Sequence, residues 1–130
     1  MGFMLPSLLG LLLAFRAGGS SSGDFSASIR ALEESLEKTP DRLDLWVSLG
    51  LFYFQSGDPE KAEEAFQKVL SLDPEHLTAW YQLALIYEKR QDWNRARSAW
   101  ERVLRNAQNE RLRQVSRKHL AHIRSLLQED

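Results

Sequence analysis

Residues 43–76 read LDLWVSLGLFYFQSGDPEKAEEAFQKVLSLDPEH, and residues 77–110 read LTAWYQLALIYEKRQDWNRARSAWERVLRNAQNE. Large side chains recur in the two stretches at an interval of 34 residues, namely Trp46 and Trp80, Leu49 and Leu83, Tyr53 and Tyr87, Val69 and Val103. In each stretch their spacing of i, i+3, i+7 places them on one side of a helix. The pattern predicts two copies of one helical unit that stack through apolar faces.

The boundaries between the predicted helices carry start and stop signals. Asp58 can accept a hydrogen bond from the first turn of a helix, Pro59 suits the first helical position, and Gly57 tolerates the left-handed backbone that ends a helix. We expect further starts at Thr39-Pro40 and Asp73-Pro74, and N-caps at Asp24 and Asp92. The sequence predicts helices near residues 25–38, 42–55, 59–71, 76–90, 93–106 and 109–127.

The series Trp46-x-x-Leu49-Gly50-x-x-Tyr53, Ala62-x-x-x-Phe66 and Pro74 resembles the tetratricopeptide repeat (TPR) signature. The second copy departs from this signature at Gln91 and Gln108, where the first copy has Gly57 and Pro74. Residues 24–40 align one period upstream with the second helix of a repeat.

This resemblance implies an all-α fold, a short α-solenoid of antiparallel helix pairs with two TPR motifs. We expect a TPR domain over residues 24–130, in which a half-repeat at 24–40 precedes repeats at 43–76 and 77–110. A helix at 109–127 lies beyond the repeats, and its polar outer face suits it to cap the open end of the solenoid.

Residues 1–16 are apolar apart from Arg16, and a Gly/Ser linker follows at residues 17–23. The apolar run is shorter than the roughly 20 residues that span a bilayer, and it lacks the basic start of a signal peptide. It is interpreted as a signal peptide, a short membrane anchor or a buried helix. We favour targeting or anchoring, because Pro6 and Gly10 interrupt the run. A membrane-anchored or exported protein is therefore expected, on the periplasmic side in a bacterium, with a cytoplasmic protein as the alternative.

The TPR resemblance also implies where a partner binds, because the first helix of each pair lines a concave groove in that family. The matching positions are Asp44, Val47, Leu51, Phe54 and Gln55, then Thr78, Tyr81, Leu85, Glu88 and Lys89. Apolar side chains in a groove favour recognition of a partner's helix or extended segment. Packing of Val47 and Leu51 against the preceding helix or the N-terminal run is the alternative. The Lys, Asn and Arg set that grips a C-terminal carboxylate in chaperone-binding members is not matched at Val47, Leu51 and Tyr81.

Groups that carry chemistry are scarce in this sequence. There is no cysteine, so thiolate zinc sites and cysteine nucleophiles are excluded. His119 and His122 lie close enough on one helix to share a metal, but a third ligand is not evident, and we predict histidines on the capping surface. The acidic pairs Glu33/Glu34 and Glu63/Glu64 are predicted to be solvated. We therefore expect no catalytic residue, no metal and no cofactor, and predict that the protein is not an enzyme.

The distribution of charge suggests what the chain binds. The net charge is -1, whereas a general nucleic-acid binder is expected to be basic. Residues 24–74 carry a balance of -6 and residues 75–130 one of +4. This asymmetry is interpreted as two solvated faces or as a basis for head-to-tail stacking. Another protein is the predicted partner, and self-association is possible because two full repeats bury few faces.

The predicted function is that of a scaffold or adaptor that holds a partner helix or peptide in the groove. One alternative comes from the hydrophobic start followed by Leu32, Pro40 and Trp46, which resembles TPR subunits of cytochrome c maturation complexes. Such a protein would hold a segment of an apoprotein. A second alternative is an adaptor to RNA or lipid that acts through the basic last helix.

Overall fold

The computed structural model describes residues 24–128, which form six α-helices. The helices are α1 (Ser26–Lys38), α2 (Leu43–Gln55), α3 (Pro59–Leu72), α4 (Leu77–Lys89), α5 (Trp93–Asn106) and α6 (Glu110–Leu126). No strand occurs within this part of the chain. Every helix end lies within one residue of its predicted position, and the predicted all-α solenoid of helix pairs is confirmed.

Each helix packs mainly on its neighbours in the sequence, with α2 against α3 and α4 against α5 as the closest pairs. α1 covers one side of α2, and α6 covers α5. Phe66 on α3 and Trp100 on α5 occupy equivalent positions in the two pairs, and both are fully buried. Because a repeat buries its apolar face only against its neighbours, α1 and α6 complete the apolar core at the two ends of the described chain.

The loop within each pair has the predicted chemistry. The Asp58 carboxylate accepts a hydrogen bond from the Lys61 amide, and Asp92 caps α5 in the same way. Gly57 ends the turn after α2 with a φ of 88°. Gln91 takes the same left-handed conformation with a φ of 60°, so replacing the glycine leaves the turn of the second repeat intact.

Three of the predicted helix starts are wrong. α1 follows Phe25 without a side-chain cap from Asp24, and Asp73 lies at the end of α3. α2 and α4 begin downstream of the Thr39-Pro40 and Asp73-Pro74 pairs, at Leu43 and Leu77. The residue that caps α4 is His76, whose Nδ1 accepts a hydrogen bond from the Ala79 amide at 3.2 Å.

The repeated tryptophans explain why the prolines remain in the turns between pairs. Trp46 Nε1 donates to the Pro40 carbonyl oxygen at 2.8 Å, and Trp80 Nε1 donates to the Pro74 carbonyl oxygen at 2.8 Å. Each indole is half-buried and packs on the apolar core. The tryptophans therefore join the turn to the helix that follows it, in addition to packing within the pair.

Gly50 marks the closest approach of α2 to α3. A Cβ atom at this position would lie 2.7 Å from Cζ of the Phe66 ring, well inside van der Waals contact. The predicted need for a small residue here is met. In the second pair, Ala84 is fully buried at the equivalent position, so the spacing of α4 and α5 accommodates a methyl group.

The predicted signal or anchor at residues 1–16 and the predicted linker at 17–23 lie outside the described residues. Across residues 24–128, no helix combines the length and the apolar character needed to cross a bilayer.

Candidate functional site

The ten groove positions predicted from the sequence all lie on α2 and α4, and we call them the first-helix face. On α2, Val47, Leu51 and Phe54 are half-buried and touch the apolar core. Gln55 is exposed, and exposed Asp44 forms an ion pair with Arg42. The Arg42 guanidinium holds the pKa of the Asp44 carboxyl below its usual range. The α2 part therefore presents an apolar strip with polar residues at its margins.

The α4 part of the first-helix face is more enclosed. Tyr81 and Leu85 are half-buried, and the Tyr81 ring meets the Trp100 ring edge-on at 5.4 Å between centroids. Lys89 bridges the two helices, because its Nζ lies 5.6 Å from the centroid of the Phe54 ring. Thr78 is exposed. The structure thus brings Phe54 and Lys89 together, although they belong to different repeats.

Glu88 contacts the capping helix within the same molecule. Its Oε2 lies 2.8 Å from Nδ1 of His119 on α6, and it accepts a hydrogen bond from Trp100 Nε1 at 3.1 Å. The His119 ring stacks on the Trp100 ring with centroids 4.1 Å apart and an angle of 18°. With 16% of its side chain exposed, Glu88 joins α4, α5 and α6 at one point.

This cluster corrects the prediction for the histidines. His119 is half-buried and pairs with Glu88, so it is a contact between helices. His122 is exposed as expected, and its ring meets the edge of Trp93 at 6.4 Å. The sequence pattern missed the His119 contact because only tertiary packing brings residues 88 and 119 together. No group of three potential metal-ligating side chains is found among the residues that the structure describes.

A carboxylate on the second helices was also misjudged. Glu63 was predicted to be solvated, but its side chain is 15% exposed and pairs with Arg90. Burial by itself raises the pKa of the Glu63 carboxyl, yet hydrogen bonds from Tyr87 and Arg90 and the positive charge of Arg90 outweigh burial and lower it. Glu34 and Glu64 are exposed as predicted. The error has a physical cause, since nothing local to Glu63 indicates that Arg90 folds over it.

Two tyrosines make equivalent contacts in successive repeats. Tyr53 Oη donates to Glu33 Oε2 at 2.9 Å, and Tyr87 Oη donates to Glu63 Oε2 at 2.7 Å. Burial, and secondarily the hydrogen bond to a carboxylate, raises the pKa of each phenol to about 12. Each tyrosine thereby ties a first helix to the second helix of the preceding unit.

Two profiles of the tetratricopeptide repeat family match the sequence, one over residues 53–118 and one over residues 21–76. The first match spans half of the chain. The chain belongs to the tetratricopeptide repeat family. This TPR protein has the fold of a protein–protein interaction scaffold. No curated protein matches the sequence.

Solved structures share the TPR fold at low sequence identity. A crystal structure of MamA is 24% identical with a TM-score of 0.72, over 84% of this chain and 62% of that one. A second MamA crystal structure is 23% identical with a TM-score of 0.71, over 82% of this chain and 57% of that one. The Sgt2 TPR domain from Aspergillus fumigatus is 21% identical with a TM-score of 0.66, over 82% of this chain and 70% of that one. This chain therefore spans less than two thirds of either MamA chain.

Proposed function

We propose that this TPR protein is a non-enzymatic scaffold that binds a helix or an extended segment of another protein on the first-helix face. The observation that carries the proposal is the row of Val47, Leu51 and Phe54 on α2. These apolar side chains follow one another at intervals of about one helical turn and remain partly accessible. Partly accessible apolar rows on repeat proteins are a common recognition surface for amphipathic segments.

The contacts suggest a division of labour within the first-helix face. Phe54 and Tyr81 are the expected anchors, since aromatic side chains supply large contact areas in interfaces. Gln55, Thr78 and Lys89 are placed to hydrogen-bond or attract a polar margin of the partner. Glu88 is engaged with His119 and Trp100, so we assign it the role of positioning α6.

The proposal is tested by selecting peptides from a displayed random library on the purified full-length protein. We expect the enriched peptides to carry apolar residues spaced by three or four positions, and expect Phe54→Asp to weaken their binding at least tenfold. Tyr81→Ala should weaken it to a lesser extent. Leu126→Asp is the matched control, because Leu126 is an apolar residue with 43% exposure on α6, away from the first-helix face.

Circular dichroism of each variant would establish that the helices are retained before binding is compared. Equal binding of the selected peptides to the Phe54→Asp and Leu126→Asp proteins would show that the first-helix face is not the binding surface.

The basic face of α6 supports a second candidate, an adaptor to RNA or anionic lipid. Arg111, Lys118 and Arg124 are exposed on this helix, whereas Arg117 pairs with Glu110. Binding through these cations would fall steeply with added salt, and a selected peptide on the apolar strip would depend on salt only weakly. Filter-binding with RNA and flotation with anionic vesicles, at two salt concentrations, separate the two candidates.

Three finer expectations remain proposals with their own tests. Binding of an apocytochrome peptide would favour the cytochrome c maturation role. Light scattering of the full chain measures self-association, with a concentration-independent monomer as the contrary result. Fractionation of cells that produce the full chain, compared with one that starts at Asp24, tests anchoring or export by residues 1–16.

A further inference from the structure

The second repeat contains a filled cation site on its tryptophan. The guanidinium carbon of Arg102 lies 5.2 Å from the centroid of the Trp80 ring, within the range of a cation–π contact. Arg102 Nη1 also pairs with Glu75 Oε1 at 3.1 Å, and Asn106 Nδ2 donates to Glu75 Oε2 at 2.6 Å. An arginine, an aromatic ring and a carboxylate thus form one closed cluster at the surface.

The first repeat has the same parts without the arginine. The residues 34 positions earlier are Trp46, Asp41, Lys68 in place of Arg102, and Leu72 in place of Asn106. In the described part of the chain, cations stack on the rings of Tyr53, Phe54, Tyr87 and Trp80, but none stacks on Trp46. Asp41 is exposed, and Leu72 is 36% exposed. The aromatic ring and the carboxylate that hold Arg102 in the second repeat therefore have counterparts without a cation.

The surface beside Trp46 is correspondingly open. A cavity of about 570 Å³ runs between α1, α2 and α3, and its apolar lining is Leu36, Trp46, Leu49 and Ala65. Its counterpart in the second repeat measures about 460 Å³, and neither Leu83 nor Ala99, the equivalents of Leu49 and Ala65, lines it. The cavity of the first repeat reaches the position of Lys68, which is the place that Arg102 occupies one repeat later.

The charges around this cavity favour a cation. Glu33 and Glu37 line it from α1 and Glu64 lines it from α3, opposite Lys61 and Lys68. Lys61 already lies over the Tyr53 ring at 5.6 Å, so its charge is directed away from Trp46. A guanidinium suits the remaining place better than an ammonium, because it is planar, stacks on aromatic rings and is more weakly hydrated.

We propose that the open place over Trp46 binds the guanidinium of an arginine side chain from a partner protein. The contact reproduces in trans the one that Arg102 makes in cis on Trp80. The site lies among α1, α2 and α3 and uses none of the first-helix face, so it is a second interaction surface independent of the one proposed above.

The test is a titration of the full-length, ¹⁵N-labelled protein with an acetylated, amidated Gly-Arg-Gly tripeptide, followed by NMR on the indole N–H signals. The Trp46 signal is assigned from the spectrum of Trp46→Phe. We expect a saturable shift of the Trp46 signal with the arginine peptide, a much smaller one with its lysine counterpart, and none with citrulline. Absence of a saturable Trp46 shift, or equal shifts with the lysine and arginine peptides, would overturn the proposal.

Lys68→Arg provides the discriminating variant, because it places a guanidinium on the chain where Arg102 lies in the second repeat. We expect it to weaken binding of the arginine peptide roughly fivefold, as the loss of one cation–π contact and one exposed ion pair implies. Lys118→Arg on α6 is the matched control and should bind like the wild type. Unchanged affinity in Lys68→Arg contradicts the proposal. Binding seen only in Arg16→Lys would assign the place to the chain's own arginine and overturn the role of a partner.

Discussion

The contact between Gly50 and Phe66 allows a stability change to be worked out from opposing terms. In Gly50→Ala, the added Cβ would lie 2.7, 2.8 and 3.0 Å from three carbons of the Phe66 ring. Carbon atoms pack at about 3.5 Å or more, so the ring or the helix must move by about 0.8 Å. Phe66 is fully buried, which leaves its ring little room to turn away.

Two effects oppose each other in this variant. Alanine favours the helix over glycine by about 1 kcal/mol, whereas overpacking of a dense core costs about 1–3 kcal/mol. We expect the clash to prevail and the free energy of unfolding to fall by about 1 kcal/mol, which corresponds to a Tm decrease of about 4–8 °C. Urea denaturation followed by circular dichroism measures the change.

A double-mutant cycle with Phe66→Leu isolates the contact. The smaller side chain removes the ring carbons that clash, so Gly50→Ala should be neutral or stabilising in the Phe66→Leu background. Ala84→Gly is the matched change in the second repeat, and it should destabilise by about 1 kcal/mol because no clash is relieved. The reasoning is refuted if Gly50→Ala alone is as stable as the wild type or more stable.

Three further changes test the contacts that hold the helices. Asp58→Ala should cost about 1 kcal/mol in chemical denaturation through the lost N-cap, whereas Asp24→Ala should change stability by less than about 0.5 kcal/mol. Glu63→Ala should cost about 2–3 kcal/mol in calorimetry, because the buried Nε and Nη2 atoms of Arg90 already lack hydrogen-bond partners and the guanidinium would lose its carboxylate; a smaller loss than for Asp58→Ala would contradict this. Since the folded-state pKa of Tyr87 is raised from 10.0 to about 12, its contribution to stability is complete below pH 10 and is lost as the pH rises towards 12; alkaline unfolding should therefore be less steep in Tyr87→Phe, and an unchanged profile would refute the assignment.

The candidate sites show the limit of sequence patterns at the level of single residues. The spacing of the repeat predicted which helices carry the groove positions, and all ten lie on α2 and α4. It did not predict that Glu88 pairs with His119, because the partners lie 31 residues apart and meet only when α6 packs on α5. The open place over Trp46 was also missed, although the exchange of Lys68 for Arg102 between repeats is a signal that an internal comparison of the sequence contains.

Sequence alone determined the helices, their order and the family, because the periodicity of apolar residues and the Asp58, Gly57 and Asp92 signals act within a few residues of each other. The exchange of Gly57 for Gln91 did not alter the turn, since the packed pair imposes the left-handed conformation on either residue. Tertiary structure decided which carboxylates are buried in ion pairs and which tryptophan face is covered. These properties depend on side chains from different helices that meet only after the pairs have stacked, so no local pattern encodes them.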